Sequence, residues 1–309
     1  MRRLPLAVLA AGTTGVSGLA WSLAEARAFV LRRFSLPVLP PGSDPLRVLH
    51  LSDLHLVPRQ HAKLDWVRRL ADLAPDLVVS TGDSLAHLDA VPAVLRAHGE
   101  LLDRPGVFVL GSNDYFAPRP KNPARYLLPA GGKRRAAGEP LPTADLVRGF
   151  TRAGWLDLTN RRQALTVRDL RLEFVGVDDP HLQRDRYQLV AGPADTSADL
   201  TVGVTHAPYR RVLDAMTADG AGLVLAGHTH GGQLCLPGFG ALVTNCDLDR
   251  RRAKGVSRWA PGGGSGAGAA WMHVSAGLGT SPFTPVRFAC RPEASLLTLT
   301  AVDDRGGAV

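Results

Sequence analysis

The sequence predicts an α/β fold whose polar residues collect at the ends of its strands. Short apolar runs alternate with segments of helical period, and each run stops abruptly at Asp, Asn or His. The composition, 45% hydrophobic and 21% charged over 309 residues, is that of a globular chain.

Residues 4–24, "LPLAVLAAGTTGVSGLAWSLA", carry no charge and follow Met1-Arg2-Arg3. At ~1.5 Å per residue such a helix just spans a bilayer's hydrocarbon core. Seven of these residues are Gly, Ser or Thr, so the segment is only weakly apolar. Three readings of residues 1–36 follow. A single-pass membrane anchor is preferred over a signal sequence, for which Ala24-Glu25-Ala26 offers a small-x-small pattern. The third is a helix lying on the membrane or on the domain. Arg2 and Arg3 flank one side, Arg27, Arg32 and Arg33 the other. The balance leans towards a catalytic domain on the cytoplasmic face.

The stretch "PVLPPGSDP" at 37–45 holds four prolines and reads as an extended linker to a domain at 46–303. In that domain "LRVLHLS" (46–52), "DLVVST" (76–81) and "GVFVLG" (106–111) read as buried strands. "KLDWVRRLADL" (63–73) and "AVPAVLRAHGELL" (90–102) between them read as helices, so the strands should pair in parallel. Residues 117–142 contain six prolines and Lys133-Arg134-Arg135 and read as a basic surface insertion. Further strands are expected at 163–167, 170–177, 199–205, 221–227, 271–276, 286–290 and 295–301. A helix is expected at 209–218 and a flexible loop at 261–269.

The formal charge of +8 favours acidic partners such as phosphate esters and anionic lipid surfaces. No dense basic run with interleaved aromatics occurs, which argues against nucleic acid. Cys235, Cys246 and Cys290 form no CxxC pair and read as buried, inert thiols.

The strand ends supply Asp53 and His55 in "HLSDLHL", Asp83 in "VVSTGD", and Asn113 and Asp114 in "VLGSNDYF". Later come His206 in "VGVTHAP" and His228 and His230 in "GHTHGG". Singly, each has an ordinary explanation as a helix cap or a satisfied histidine. Together they form an oxygen and imidazole set suited to divalent metals, at the strand ends where α/β sheets bind ligands. In extended chain, residues two apart face the same way, so Asp53 with His55, and His228 with His230, should converge. His50 and His61 lie nearby but out of phase with these pairs, and the sequence assigns neither a role.

D-x-H, G-D, a G-N-H-D-like element, a lone His and G-H-x-H, in that order, resemble the calcineurin-like metallophosphoesterases over roughly 46–232. The extended "GHTHGGQLCLPG" (227–238) and "GLGTSPFTPVRFACRPE" (277–293) are similar to a membrane-associated bacterial subgroup acting on phosphodiesters or nucleotide-linked lipids. The resemblance implies a two-sheet β-sandwich flanked by helices, with two divalent metal ions (Mn, Fe or Zn) at the strand C-terminal ends. Asp53, His55 and His230 would hold the first metal and Asp83 would bridge. Asn113, His206 and His228 would hold the second. A metal-bridging hydroxide would then attack phosphorus in line.

The usual Gly-Asn-His-acid element is here Gly111-Ser112-Asn113-Asp114. Aligned by glycine, Ser112 replaces the asparagine and Asn113 the histidine; aligned by asparagine, Asp114 replaces the histidine. The second alignment is preferred, because serine is a poor neutral ligand. It gives Asp114 a role beside Asp83 and Asn113, orienting a ligand or water. Either way the active-site histidine is absent, which points to a good leaving group such as the phosphate of a pyrophosphate bond, or to another proton donor.

The expected activity is hydrolysis of phosphodiester or pyrophosphate bonds of a phosphorylated small molecule or lipid-linked substrate. The alternative is a membrane-tethered binding protein that keeps the metals and has lost catalysis with its histidine. A soluble or nuclease-like phosphatase fits the ligands too, but leaves the N-terminus idle.

Overall fold

The computed structural model describes residues 17–120, 138–266 and 268–302. Two six-stranded mixed sheets lie face to face with helices on their outer sides. Residues 17–25 form helix α1. The chain continues through β1 (Val30–Leu39), β2 (Leu46–Leu51), α2 (His61–Arg68), β3 (Leu77–Ser80), α3 (Val91–His98) and β4 (Gly106–Phe108). A short turn α4 (Ser112–Tyr115) and helix α5 (Thr143–Arg152) lead to β5 (Leu156–Asp157), β6 (Arg161–Val167), β7 (Leu170–Gly176) and β8 (Leu200–Val204). Then come α6 (Arg210–Ala218), β9 (Leu223–Ala226), the small hairpin β10 (Cys235–Leu236) and β11 (Gly240–Ala241), β12 (Gly255–Trp259), β13 (Ala270–Val274) and β14 (Glu293–Ala301).

The first sheet runs β1-β14-β2-β3-β4-β5 and the second β12-β13-β9-β8-β7-β6. The predicted strand runs are apolar throughout because both faces of each sheet are covered. Leu77 and Val79 point into the layer between the sheets with Phe174, Val202 and Leu225, whereas Val78 and Phe108 pack outward among α2, α3 and α5. On the far side α6 covers the second sheet through Val212, Leu213 and Met216. Strands β2, β3 and β4 are parallel, as are β7, β8, β9 and β13, so their C-terminal ends open on one edge of the sandwich.

Several expectations need correction. Residues 30–39 belong neither to an N-terminal helix nor to a linker. They form edge strand β1, which pairs in parallel with β14, Val30 opposite Glu293. Arg33 to Pro37 alternate in burial and the strand covers a sheet edge, which outweighs the prolines at 37 and 40. The linker shrinks to the turn at 40–45. Residues 286–290 form no strand beyond a single bridge between Leu234 and Phe288. The loop at 261–269 begins with a one-turn helix at Pro261–Gly263. The apolar stretch 4–24 and the Lys133-Arg134-Arg135 cluster lie largely or wholly outside the described residues. Among the described residues no helix is long and apolar enough to cross a membrane.

Candidate metal centre

The loops after β2, β3, β4, β8 and β9 bring their polar ends together. The peptide N–H of Asp53 donates to the Gly82 carbonyl and that of His55 to the Asp83 carbonyl, both at 2.9 Å, locking the first two loops side by side. Gly111 and Gly227 make room for the side chains that follow. A Cβ on Gly111 would lie 2.3 Å from Asp83 Oδ1, and one on Gly227 2.6 Å from Asp53 Oδ2.

Convergence does not come from extended backbone, as the two-residue spacing suggested. Asp53, His55, Asp83, His228 and His230 all adopt left-handed backbone, with φ of 51°, 42°, 56°, 69° and 50°. Non-glycine residues pay for that conformation, and it persists only where the surroundings impose it. As a result His228 and His230 separate. His230 faces His55, their Nε2 atoms 3.2 Å apart, while His228 packs against His206 with ring centroids 5.2 Å apart.

Asp53, His55 and His230 each bring one donor atom within 4.8 Å of the others, and so do Asp53, Asp83 and His206. Asp83 spans the two sets: its Oδ2 lies 3.4 Å from His55 Nε2 and its Oδ1 3.5 Å from His206 Nε2. Asn113 is drawn to the same carboxylate, donating its backbone N–H to Oδ1 at 2.7 Å and its amide to Oδ2 at 2.8 Å. His228 lies beside the second set rather than within it, its Nε2 3.3 Å from the Asn245 carbonyl.

The residues fit a bound cation. Asp53 Oδ1 and His206 Nε2 are buried without a hydrogen-bond partner, an arrangement that costs free energy unless something occupies their lone pairs. Burial holds His55 down to about 4 and His230 well below the usual histidine range, which leaves both rings neutral and able to ligate. Burial raises Asp53 to about 6. Burial also opposes charge on Asp83, but His206, His55 and the two Asn113 N–H groups outweigh it and hold this carboxyl well below the usual range. Asp83, Asp53 and Asp179 overcome the burial of His206 and raise it to about 9, so these acids draw a proton to Nε2 when no cation neutralises them. Oxygen and imidazole donors of this kind suit Mn, Fe and Zn alike.

Asp114 turns away from this set. It is fully buried, and its carboxylate accepts the backbone N–H groups of Asp83, Ser84 and Gly111 at 2.8–2.9 Å and that of Leu85 at 3.2 Å. Asp114 therefore clamps the β3 loop to the β4 loop, and the expected role of orienting a ligand or water does not match its placement. Nor does Asp114 take the site-facing place that the alignment by asparagine gives it.

Several residues outside the ligand motifs frame the centre. His50 heads a buried chain: His273 Nδ1 to His50 Nδ1 at 2.8 Å, His50 Nε2 to Thr81 Oγ1 at 2.9 Å, Thr81 to Ser52 at 2.7 Å and Ser52 to Asp53 Oδ2 at 2.5 Å. Arg287 is fully buried and donates from Nη2 to the Ala276 and Gly279 carbonyls, both at 2.7 Å. The Gly279 carbonyl also lies 3.1 Å from His230 Nδ1, which fixes the ring with Nε2 towards the site. His181 packs against His228 with the rings tilted and their centroids 4.6 Å apart, its Nδ1 3.1 Å from the Tyr209 hydroxyl. The apolar run "VGVDDPH" ending in acids and a histidine carried the same strand-end signal as the others. Cys235 and Cys290 are buried, as expected, and Cys246 half-buried; the Cys235 hydrogen bond, with Arg287 and Lys254, lowers the Cys290 thiol to about 6 against its burial.

Comparison with known proteins agrees with this geometry. The chain is 26% identical over 305 residues to the uncharacterized protein YpbG of Bacillus subtilis, covering 96% of this chain and 98% of that one. It is 25% identical over 279 residues to the uncharacterized metallophosphoesterase YkuE of the same organism, covering 86% and 83%. It also matches a Bos taurus transmembrane protein with metallophosphoesterase domain at 26% identity, over 75% of this chain and 50% of that one. The profile of one family, the calcineurin-like phosphoesterases, spans residues 46–232, from β2 through the His228 and His230 turn, and the chain belongs to that family.

Proposed function

We propose that this phosphoesterase hydrolyses phosphodiester or pyrophosphate bonds, with a lipid-linked or nucleotide-linked substrate met at a membrane surface. The observation that carries the reading is Asp83, whose two oxygens reach one histidine of each ligand set while Asn113 holds the carboxylate in place. Asp53, His55 and His230 would hold one divalent cation and His206 and His228 a second, with Asp83 between them and Asn113 beside it. Bound cations supply polarisation of the phosphoryl group and acidification of the water that attacks it.

The chain's own groups set the rest. Asn113, in the position of the family's histidine, offers amide hydrogens and no titrating proton, which suits a leaving group stable as an anion. A phosphate leaving from a pyrophosphate is such a group. His181 sets an exposed imidazole against His228 at the edge of the second ligand set. The uncharged stretch 4–24, the +8 balance and the transmembrane character of the bovine relative support an amphiphilic substrate.

The test uses the full chain. Bound Mn, Fe and Zn are measured, and bis-p-nitrophenyl phosphate and a pyrophosphate diester are assayed with and without Asp83→Asn. We expect metal in the protein and a loss of about a hundredfold or more in turnover, the scale of removing one group that stabilises a transition state. Absence of metal, or turnover indifferent to the substitution, overturns the proposal.

A further inference from the structure

We infer that the β10–β11 hairpin and the 281–286 loop form a second membrane-docking surface, an apolar rim beside the metal centre that inserts into an anionic lipid interface. Its purpose rests on the lipid-facing reading above; its occupancy is measured without turnover.

Three uncharged stretches of chain meet here. Residues 231–246 contain no Asp, Glu, Lys or Arg, nor do residues 276–286, nor residues 17–24 of α1. The first two are stitched together by Gln233, whose amide donates to the Thr284 and Val286 carbonyls at 2.9 and 3.0 Å. The backbone adds Cys235 N–H to the Phe288 carbonyl and Phe288 N–H to the Gln233 carbonyl. The third arrives through α1: Arg287 N–H donates to the Ser22 carbonyl, and the Glu25 carboxylate accepts the Cys290 and Ala289 N–H groups at 2.6 and 3.0 Å. The segment continuing from the N-terminal apolar stretch is thus fixed to the same edge as the hairpin.

Large apolar side chains point outward along this edge. Leu236 is 50% exposed, Phe239 62%, Phe283 51% and Trp21 63%. They lie in three separate segments drawn together by the bonds above, whereas scattered single exposures would need no explanation. Cations border them. Arg250, Arg251 and Lys254 are exposed, Arg250 sits over the Phe239 ring at 5.3 Å, and Arg291 is held at the end of the 287–290 segment by the Ala28 carbonyl. The neighbouring acids are Glu25, bonded as above, and Asp247 and Asp249, each already accepting a backbone N–H, from Arg210 and Arg251. An uncharged apolar centre with a cationic border is the pattern of an interfacial lipid contact. The rim adjoins the site directly: Leu234 is four residues beyond His230, and Phe283 four beyond Gly279, whose carbonyl faces His230.

The experiment measures partitioning of the full-length protein onto vesicles of phosphatidylcholine and of phosphatidylcholine mixed with phosphatidylglycerol. The variants are L236S/F239S and R250Q/R251Q, with metal content and turnover of bis-p-nitrophenyl phosphate as controls. We expect L236S/F239S to lower the partition coefficient about tenfold or more on both vesicles. R250Q/R251Q should lower it about fivefold per arginine on anionic vesicles only, an effect that salt removes. Both variants should keep wild-type metal content and soluble turnover. Wild-type partitioning by L236S/F239S overturns the inference and leaves membrane contact to the N-terminus. A wild-type dimer that L236S/F239S converts to monomer without vesicles overturns it too, making the rim a self-association face. Failure of the hydrolase reading shows instead as absent soluble turnover in the wild type, which leaves the partitioning result standing.

Discussion

His55 Nε2 and His230 Nε2 lie 3.2 Å apart, and both face the buried, unpartnered Oδ1 of Asp53. Without a cation, two neutral rings and a carboxylate are pressed together with too few hydrogens to share. Stripping metal with a chelator should therefore lower the melting temperature, and restoring Mn or Zn should raise it. At a thousandfold excess over Kd the gain is about 4 kcal/mol. His230→Ala should lower bound metal and shrink that shift, read by calorimetry and metal analysis.

Arg287 donates to the Gly279 carbonyl, which faces His230 Nδ1, so it acts on the site through that ring. Arg287→Met should keep the side chain's bulk but release the ring. We expect metal affinity to fall about 10–100-fold, the usual cost of removing a group that orients a ligand. Titration of metal against the stripped protein checks it, with turnover restored at high metal.

Asp114→Asn replaces one carboxylate oxygen with an amide that opposes a backbone N–H in place of accepting it. Four such donors converge on this carboxylate, so the variant should lose about 3 kcal/mol in urea unfolding. If Asp114 oriented a ligand or water instead, stability would be unchanged and turnover alone would fall.

His98 lies in α3, away from the metal ligands, with its ring edge-on to Phe150 and Trp155. Burial lowers it to about 4, with the Val94 carbonyl bond opposing. In the unfolded chain it takes up a proton near 6.5, whereas the folded protein refuses one until about 4. Stability is therefore full above pH 6.5 and is lost as pH falls towards 4, by about 3 kcal/mol from this residue. His98→Gln should flatten that part of the stability–pH curve.

Removing residues 1–40 deletes β1 and leaves β14, otherwise paired on both sides, as an open edge. Such a chain should aggregate, or unfold at a lower temperature than the protein with β1 in place. Light scattering during a thermal ramp separates the two.

Much of the site was legible because its chemistry is local in the chain. Apolar runs ending in Asp53, Asp83, His206 and His228 identify strands buried on both faces and the polar atoms at their tips. What residue order cannot carry is backbone conformation forced by distant partners. The left-handed turns at Asp53 and Asp83 depend on loops lying side by side, Asp53 N–H on the Gly82 carbonyl. Asp114, next to Asn113, looked equally able to face the site. Only the approach of the Asp83, Ser84 and Leu85 N–H groups decided that it faces away.

The sequence by itself thus determined the α/β alternation, the donor atoms and the absence of the family's active-site histidine from 111–114, because side-chain identity and hydrophobic period are properties of the chain. Tertiary structure alone decided that residues 30–39 are a strand, that His228 and His230 part company, and that Asp114 is a clamp. Each of these turns on a hydrogen bond or packing contact between segments far apart in sequence, as when Val30 pairs beside Glu293.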